Sequence, residues 1–176
     1  MTRFTLRHGL QRGDRPAIAR LLETAGVFRP EEVAIGLELV DETLAGGSRS
    51  SYRWVLAGRG NQEGRLGWPP CGLACYGPVP LTQGTFDLYW IAVDPRARGC
   101  GIASALDADI TEELRRSGGR WILAETSSTP PYEAARRFYL RRGYTLLEHI
   151  PDFYRVGDDR LTYGKRLDHL LGPASG

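Results

Sequence analysis

The spacing of apolar positions predicts two helices behind a short first strand. The strand lies near Phe4 to Arg7, and apolar residues then recur at the spacing of a helix over about residues 15–25. A second helix is predicted from Pro30, because proline suits a first helical turn, to Gly46-Gly47, because glycine ends helices. The buried face of the first helix is predicted to comprise Ile18, Leu21 and Leu22.

Short apolar runs beyond these helices predict a series of strands. The first two are separated by a polar, glycine-rich connection from Gly58 to Pro70, which indicates a hairpin with an enlarged loop. Near the end of the chain, an aromatic and acidic connection is predicted over residues 151–159, between the last two strands. The strands are predicted at Tyr52 to Ala57, Cys71 to Tyr76, Phe86 to Val93, Trp121 to Ala124, Tyr144 to His149 and Leu161 to Arg166.

Two further helices, after Gly101 and around Tyr139, complete the order β-α-α-β-β-β-α-β-α-β-β. This order predicts a mixed α/β fold with a central sheet of six to seven strands flanked by about four helices. A chain of 176 residues with 41% hydrophobic content is long enough for one well-buried domain and short for two. A single domain over residues 1–176 is therefore expected.

Composition narrows the classes of function. A formal net charge of +2 gives no argument for nucleic acid as a partner. The three cysteines are an odd number without metal-ligand spacing, so we expect no metal site and a reducing compartment. Neither a signal peptide nor an apolar run of about 18 residues is visible, which favours a cytoplasmic protein without a membrane partner.

The stretch from Asp87 to Ala105 predicts a site for an anion. Asp94-Pro95 ends an apolar strand, and Arg98 and a glycine-bearing loop lead directly into a helix. The free backbone N–H groups and the dipole of such a helix N-terminus favour phosphate. Gly99 and Gly101 let a ligand approach the backbone closely, although an ordinary glycine turn is an equal alternative for this stretch alone. The P-loop and dinucleotide motifs are absent.

Two motifs together resemble one family. Residues 98–103, RGCGIA, resemble the (Gln/Arg)-x-x-Gly-x-(Gly/Ala) pyrophosphate loop of the GNAT superfamily of acyl-CoA-dependent N-acetyltransferases. Residues 132–144, YEAARRFYLRRGY, resemble the A-x-x-F-Y-x-x-x-G-(F/Y) segment that follows the fifth strand in the same superfamily. The motifs stand in the family's order and at about its separation, and the predicted element order matches along essentially the whole chain.

The resemblance implies a sheet splayed between its fourth and fifth strands, with acetyl-CoA entering the gap as co-substrate. The pantetheine amides would pair with the fourth strand at Ile91, Ala92 and Val93. Arg98 would position the turn, and the pyrophosphate would rest on the N–H groups of Gly99, Cys100, Gly101, Ile102, Ala103 and Ser104. Tyr132 stands where many members carry asparagine, and it either donates its hydroxyl to the cofactor or caps the helix entrance.

Transfer to an amine requires a base for the amine and an acid for the departing thiolate. By resemblance, Tyr139 occupies the position of the acid, and a phenol with an ordinary pKa near ~10 is protonated at neutral pH. The alternative is a core tyrosine. The base is either Asp87, on the fourth strand, or Glu125, at the end of the fifth. Either carboxylate could instead only bind a cationic substrate.

The implied function is transfer of an acetyl group to a primary amine of a small molecule or peptide. Candidate residues of the acceptor pocket are Glu38, Asp87, Phe153, Tyr154 and Asp158. The alternative is a sensor or interaction module of the same fold that binds acyl-CoA without turnover. The arginines on the Tyr139 helix, Arg136, Arg137, Arg141 and Arg142, predict a solvated face, with anion binding as the alternative. Homodimers are common in the family, but the sequence leaves the oligomeric state open.

Overall fold

The computed structural model describes residues 4–59 and 69–167, which group into two compact units. The first unit contains the described residues up to Gly77 together with Tyr89–Ala108. The second contains Pro78–Leu88 and the described residues from Asp109 onward. Strand β4 (Thr85–Val93) and helix α3 (Ile102–Arg116) each contribute one part to each unit. Among the helices of the described residues, none has an apolar stretch of the length needed to span a bilayer.

The first unit contains an antiparallel sheet and the first two helices. The elements that contribute to this unit are β1 (Phe4–His8), α1 (Arg15–Thr24), α2 (Pro30–Gly46), β2 (Arg53–Arg59), β3 (Gly72–Pro78), β4 (Thr85–Val93) and α3 (Ile102–Arg116). Strand β1 pairs with β2, where Leu6 faces Ala57, and β2 pairs with β3, where Val55 faces Ala74.

The core of the first unit confirms the predicted face of α1. Ile18 and Leu22 are completely buried and Leu21 nearly so. They form one apolar cluster with residues of α2 and of strands β2, β3 and β4. On the edge of this cluster, Phe28 meets Trp90 edge to face at a ring separation of 4.8 Å. The residues between α1 and α2 are thereby packed against β4.

The second unit contains the first residues of β4 and the last part of α3, followed by β5 (Trp121–Ser127), α4 (Glu133–Arg141), β6 (Thr145–Arg155) and β7 (Asp158–Arg166). The first residues of β4 run parallel to β5, with Asp87 facing Leu123. Strand β7 is antiparallel to β5 and to β6. Hydrogen bonding gives the strand order β1-β2-β3-β4-β5-β7-β6. The described residues thus form a mixed, open sheet of seven strands with four α-helices, as predicted.

The predicted order of helices and strands is confirmed, with one error. Residues 151–159 were expected to form a connection, but β6 continues to Arg155 and β7 begins at Asp158. Pro151 and the neighbouring acids suggest a loop locally, whereas pairing with β7 holds this segment in a strand with shifted register. Strands β2 and β3 pair antiparallel, as the hairpin prediction requires. Most of its enlarged loop, residues 60–68, lies outside the described residues.

Candidate active site

The turn after β4 is built by Asp94. Its backbone N–H donates to the carbonyl oxygen of Cys71 at 2.9 Å, which ties the end of β4 to the start of β3. Its carboxylate accepts from the backbone N–H of Arg96 at 2.8 Å and from the Arg96 guanidinium. These hydrogen bonds, chiefly the side-chain one from Arg96, hold the pKa of Asp94 below its ordinary value. The strand is therefore closed by a rigid turn.

The loop that follows has the backbone that the sequence predicts. Gly99 and Gly101 have φ angles of 77° and 80°, in the left-handed region that favours glycine. A Cβ at either position would meet nothing within 4 Å, so open space lies over this exposed loop.

Helix α3 begins directly after this loop, and the N–H of Ala105 donates to the carbonyl oxygen of Gly101. By helix geometry, the N–H groups of Ile102, Ala103 and Ser104 have no acceptor within the helix. An anion is stabilised at such an end. The loop and this helix end fit a pyrophosphate.

Arg98 has a partner that sequence reasoning did not identify. Its guanidinium donates to the carbonyl oxygen of Ala25, at the end of α1, at 2.5 Å. A donor at this place satisfies a carbonyl that the helix leaves without an intrahelical partner. Arg98 thus fastens the glycine loop to the end of α1.

The last residues of β4 and the start of α3 are packed closely beneath the loop. Ala92 is buried, while Ile91 and Val93, on the opposite side of the strand, are partly buried. Ile102 is buried against Gly72 of β3, where a Cβ would lie only 2.5 Å from the Cγ2 of Ile102. The absence of a side chain at Gly72 therefore sets the depth at which α3 begins.

In the second unit, the structure brings the two candidate bases to one face of the sheet. Asp87 faces Leu123 on the adjacent strand, and Glu125 lies two residues farther along β5. Since side chains alternate along a strand and paired residues share a face, Asp87 and Glu125 project from the same face. Burial raises the pKa of Asp87, and the negative charge of Glu125 raises it further.

Glu125 is held by groups from the two neighbouring strands. The hydroxyl of Tyr154 donates to its Oε1 at 2.6 Å, and Nη1 of Arg160 lies 3.7 Å from its Oε2. Burial and the hydrogen bond to Glu125 raise the pKa of Tyr154 well above its ordinary value. The Arg160 guanidinium also donates to Glu148 at 2.8 Å and lies 4.3 Å from the centre of the Phe153 ring.

Sequence reasoning missed Arg160 and Glu148. Both share a face with Glu125, because Thr162 faces Glu125 on one side and Glu148 on the other, and Arg160 lies two residues before Thr162. The alternation of side chains along β7 would have suggested that Arg160 projects from this face. Only the strand register shows which carboxylates lie beside its guanidinium. Phe153 and Tyr154, predicted for the acceptor pocket, lie beside these charges and contact each other edge to face.

Tyr139 lies elsewhere in the second unit. Only 5% of it is exposed, and its ring lies within 6 Å, centre to centre, of the rings of Phe138, Tyr144 and Tyr163. Tyr163 follows Thr162 on β7, so its side chain projects from the opposite face to the carboxylates. The structure therefore does not bring Tyr139 to the face that carries Asp87 and Glu125.

Tyr132 closes a short 3-10 turn, Pro130–Tyr132, before α4, and its backbone N–H donates to the carbonyl oxygen of Thr129.

The prediction of a solvated arginine face is wrong for Arg136. Its Nη1 donates to the carbonyl oxygens of Ser127 at 2.7 Å and Thr129 at 2.9 Å, so it fixes the connection between β5 and α4. Arg137 is exposed and pairs with Glu133.

Two other acceptor-pocket candidates have different surroundings. Asp158 is buried and accepts from the hydroxyl of Ser127 at 2.5 Å, with Arg155 3.4 Å away. Its carboxylate holds the end of β5 to the start of β7. Glu38 is exposed on α2, in the first unit.

Comparison with known proteins agrees with this geometry. The sequence profile of the acetyltransferase (GNAT) domain matches residues 54–146. A protein from Desulfovibrio desulfuricans assigned to the GNAT family as an acetyltransferase is 38% identical, with a TM-score of 0.87 over 94% of this chain and 100% of that chain. No curated protein sequence matches the chain.

More distant structures share the fold. The ribosomal-protein-S18-alanine N-acetyltransferase of Escherichia coli is 18% identical, with a TM-score of 0.70 over 95% of this chain and 96% of that chain. A Salmonella typhimurium protein solved with its cofactor acetyl-CoA is 19% identical, with a TM-score of 0.68 over 99% of both chains. On the domain match and the 38% identity, the chain belongs to the GNAT family of acetyltransferases.

Proposed function

We propose that the chain transfers the acetyl group of acetyl-CoA to a primary amine of a small molecule or peptide. The observation that carries the proposal is the glycine loop at the start of α3, with two left-handed glycines and three helix-end N–H groups that suit a pyrophosphate. Family membership and the acetyl-CoA bound to the Salmonella typhimurium structure support the identity of the co-substrate.

Two segments of the first unit would hold the co-substrate. The N–H groups of residues 99–104 would bind the pyrophosphate, while Arg98 keeps the loop attached to α1. The backbone of Ile91, Ala92 and Val93 would pair with the pantetheine amides. Tyr132 keeps both of its predicted roles, a hydroxyl donor to the co-substrate or an aromatic cap of the helix entrance.

The amine would meet the carboxylate face of the second unit. Asp87, Glu125 and Glu148 outnumber Arg160 there, and this excess of negative charge favours a cationic ammonium group. A carboxylate then takes a proton from the ammonium nitrogen, directly or through water. The freed lone pair attacks the thioester carbon and forms the C–N bond, the C–S bond breaks, and the sulfur leaves with the bonding electrons. The nitrogen then loses its second proton to water, which leaves a neutral amide.

Tyr139 is proposed to give its phenolic proton to the departing thiolate and to recover a proton from solvent. The motif match supports this role, while the aromatic surroundings of its ring suit a core tyrosine equally. Tyr139→Phe separates the two. A catalytic acid predicts a loss of kcat of about 10²-fold or more with unchanged acetyl-CoA affinity, whereas a core tyrosine predicts wild-type kcat.

The first experiment is a thermal shift with acetyl-CoA, CoA and dephospho-CoA. A ligand that binds only the native state stabilises it by RT ln(1 + [L]/Kd), so a hundredfold excess over Kd contributes about 2.7 kcal/mol. An increase in Tm with acetyl-CoA supports the co-substrate and leads to an amine screen by thiol release. No shift at millimolar acetyl-CoA would refute the proposal.

A second candidate function is a non-catalytic acyl-CoA sensor. The observation that favours it is the position of Tyr139, buried and away from the carboxylate face. A sensor would show the same thermal shift with acetyl-CoA but release no thiol with any amine beyond the rate of the uncatalysed reaction. Thiol release with an amine therefore decides between the two functions.

A further inference from the structure

Lys165 is the only lysine of the chain, because every other residue among its 23 lysines and arginines is an arginine. It lies on β7, and only 8% of it is exposed. Lysine is almost never buried to this degree unless other groups hold its charge, since it is costly to remove an ammonium group from water. The contacts of Lys165 therefore indicate what the ammonium does there.

The ammonium of Lys165 contacts buried groups from other parts of the second unit. Its Nζ donates to the hydroxyl of Thr111, on α3, at 2.7 Å. The same atom lies 4.6 Å from the centre of the Tyr144 ring, a distance at which a cation is attracted to the face of an aromatic ring. Both Thr111 and Tyr144 are buried. Lys165 thereby ties the Tyr144 ring to β7 and α3.

Tyr144 belongs to the hydrogen-bonded turn that ends α4. Gly143 has a φ of 83°, and its N–H donates to the carbonyl oxygen of Leu140. The N–H of Tyr144 donates to the carbonyl oxygen of Tyr139 at 3.0 Å, which completes a Schellman motif. The side chains of this last pair often pack together in such a motif, and here the two rings are 5.4 Å apart. Tyr144 thus contacts Tyr139 through both its backbone and its ring.

The orientation of Tyr139 depends on these rings. Of the nine residues of α4, all of which the structure describes, only Tyr139 is buried. Its ring also lies 5.7 Å from that of Tyr163, which is two residues before Lys165 and on the same face of β7. Arg136 holds the first half of the helix, so Tyr144 and Tyr163 orient the Tyr139 side chain near its end.

We infer that Lys165 is a positioning residue for Tyr139. Its ammonium holds the Tyr144 ring, and that ring keeps the Tyr139 phenol in the orientation from which it gives its proton. The inference rests on the proposed transferase function, in which Tyr139 protonates the departing thiolate. Because a displacement of about 1 Å in such a transfer can lower the rate by about 10²-fold, a contact that fixes the ring affects turnover.

The kinetic test is a double-mutant cycle between Lys165 and Tyr139. Lys165→Met keeps a long side chain without the ammonium, and it should lower kcat by about three- to tenfold with an unchanged KM for acetyl-CoA. Tyr139→Phe has no phenolic proton to position, so adding Lys165→Met to it should lower kcat by less than about twofold.

Arg166→Met is the matched control. It removes a cation that lies 4.9 Å from the centre of the Trp121 ring, one residue along β7 and on the opposite face of the sheet. The control should keep kcat within about twofold of the wild type, since that contact does not reach Tyr139.

Two changes at Tyr144 test the same path without altering the lysine. Tyr144→Phe keeps the ring beside the ammonium and should retain kcat within about twofold. Tyr144→Leu removes the ring and should lower kcat at least as much as Lys165→Met does. Wild-type kcat in Tyr144→Leu would overturn the inference.

NMR of the substrate-free protein reads the contacts directly. With a single lysine in the chain, ¹³C-lysine labelling gives one set of side-chain signals. The ε protons should lie upfield of their usual position because of the Tyr144 ring current, and they should return toward it in Tyr144→Leu. The ring signals of ¹³C-labelled Tyr139, assigned with Tyr139→Phe, should shift in Lys165→Met and stay in place in Arg166→Met.

The outcomes separate a positioning role from a structural one. Equal fold-losses of kcat from Lys165→Met with and without the Tyr139 phenol would show a purely structural role and overturn the inference. Tyr139 ring signals that do not move in Lys165→Met would overturn it as well. If the wild type acetylates no amine, the proposed function fails, and the NMR signals alone then decide whether Lys165 orients the Tyr139 ring.

Discussion

Gly72 tests how the fold positions the glycine loop that is proposed to bind the pyrophosphate. An alanine Cβ there would lie 2.5 Å from the Cγ2 of Ile102, about 0.9 Å short of the 3.4 Å at which ordinary contact begins. That methyl group is attached to the Cβ of a β-branched residue in the first turn of α3, where one χ1 rotamer dominates. Since the methyl cannot rotate away cheaply, the start of the helix must move.

The magnitude follows from two opposing effects. Overpacking a filled core costs about 1–3 kcal/mol. The φ of Gly72 lies outside the left-handed region, so alanine fits the backbone and recovers about 0.4–1 kcal/mol from the unfolded state. A net loss of about 1–2 kcal/mol corresponds to a decrease in Tm of about 2–8 °C for a chain of this size. Displacement of the loop should also weaken acetyl-CoA about three- to tenfold, equivalent to about 1 kcal/mol.

The assay is thermal unfolding with and without acetyl-CoA, read as a double-mutant cycle. Ile102→Ala removes the clashing methyl and alone should cost about 2–5 kcal/mol through the cavity it leaves. Combined with Gly72→Ala, it should cost less than the sum of the two, because the new methyl fills part of that cavity. Gly13→Ala is the control, since a Cβ there meets nothing within 4 Å. Wild-type Tm and acetyl-CoA affinity in Gly72→Ala, or strict additivity in the cycle, would contradict this role of Gly72.

Three further predictions concern side chains that hold the site. Arg98→Ala loses the hydrogen bond to the end of α1 and should weaken the binding of acetyl-CoA, measured by calorimetry, about tenfold. Arg96→Ala leaves that hydrogen bond intact and should weaken binding less. Equal losses in the two variants would contradict this role for Arg98. The pKa of Asp94 is lowered in the folded state, so its contribution to stability is present above the ordinary aspartate pKa of about 4 and is lost as the pH falls through the folded value. Asp94→Asn should therefore flatten the dependence of Tm on pH below about 4. An unchanged slope in acid would exclude this contribution. Arg136→Ala should lower Tm by about 2–6 °C, because two carbonyl oxygens lose a charged donor. Arg137 is exposed, so Arg137→Ala should change Tm by less than about 2 °C. A larger decrease in Arg137→Ala than in Arg136→Ala would contradict the structural role of Arg136.

Local sequence signals were sufficient for most of the fold. Pro30 and Gly46-Gly47 delimit a helix that runs from Pro30 to Gly46, and the spacing of Ile18, Leu21 and Leu22 marks the buried face of α1. Such signals act within a few residues, so they can be read from the chain. The segment 151–159 was misjudged because its strand character depends on pairing with β7, and no local pattern reports a partner strand.

The candidate site also has features that local sequence signals predict and features that only the fold brings together. The glycine loop was predictable, because left-handed backbone and a helix start leave a signature in neighbouring residues. The bond between Arg98 and Ala25 was not, because the two residues are 73 positions apart and only the fold brings them together. The Tyr154–Glu125–Arg160 contacts likewise join β5, β6 and β7.

The family, the order of elements and the glycine loop can be read from the chain alone, because each is encoded by residue types at short, fixed spacings. The folded arrangement of the strands is needed to see that Asp87 and Glu125 share a face, that Glu125 is held by Tyr154, and that Tyr139 packs against the other face. Strand register and sheet face carry that information. A shift of one residue in register would move every side chain of a strand to the opposite face, and no short-range pattern in this chain specifies it.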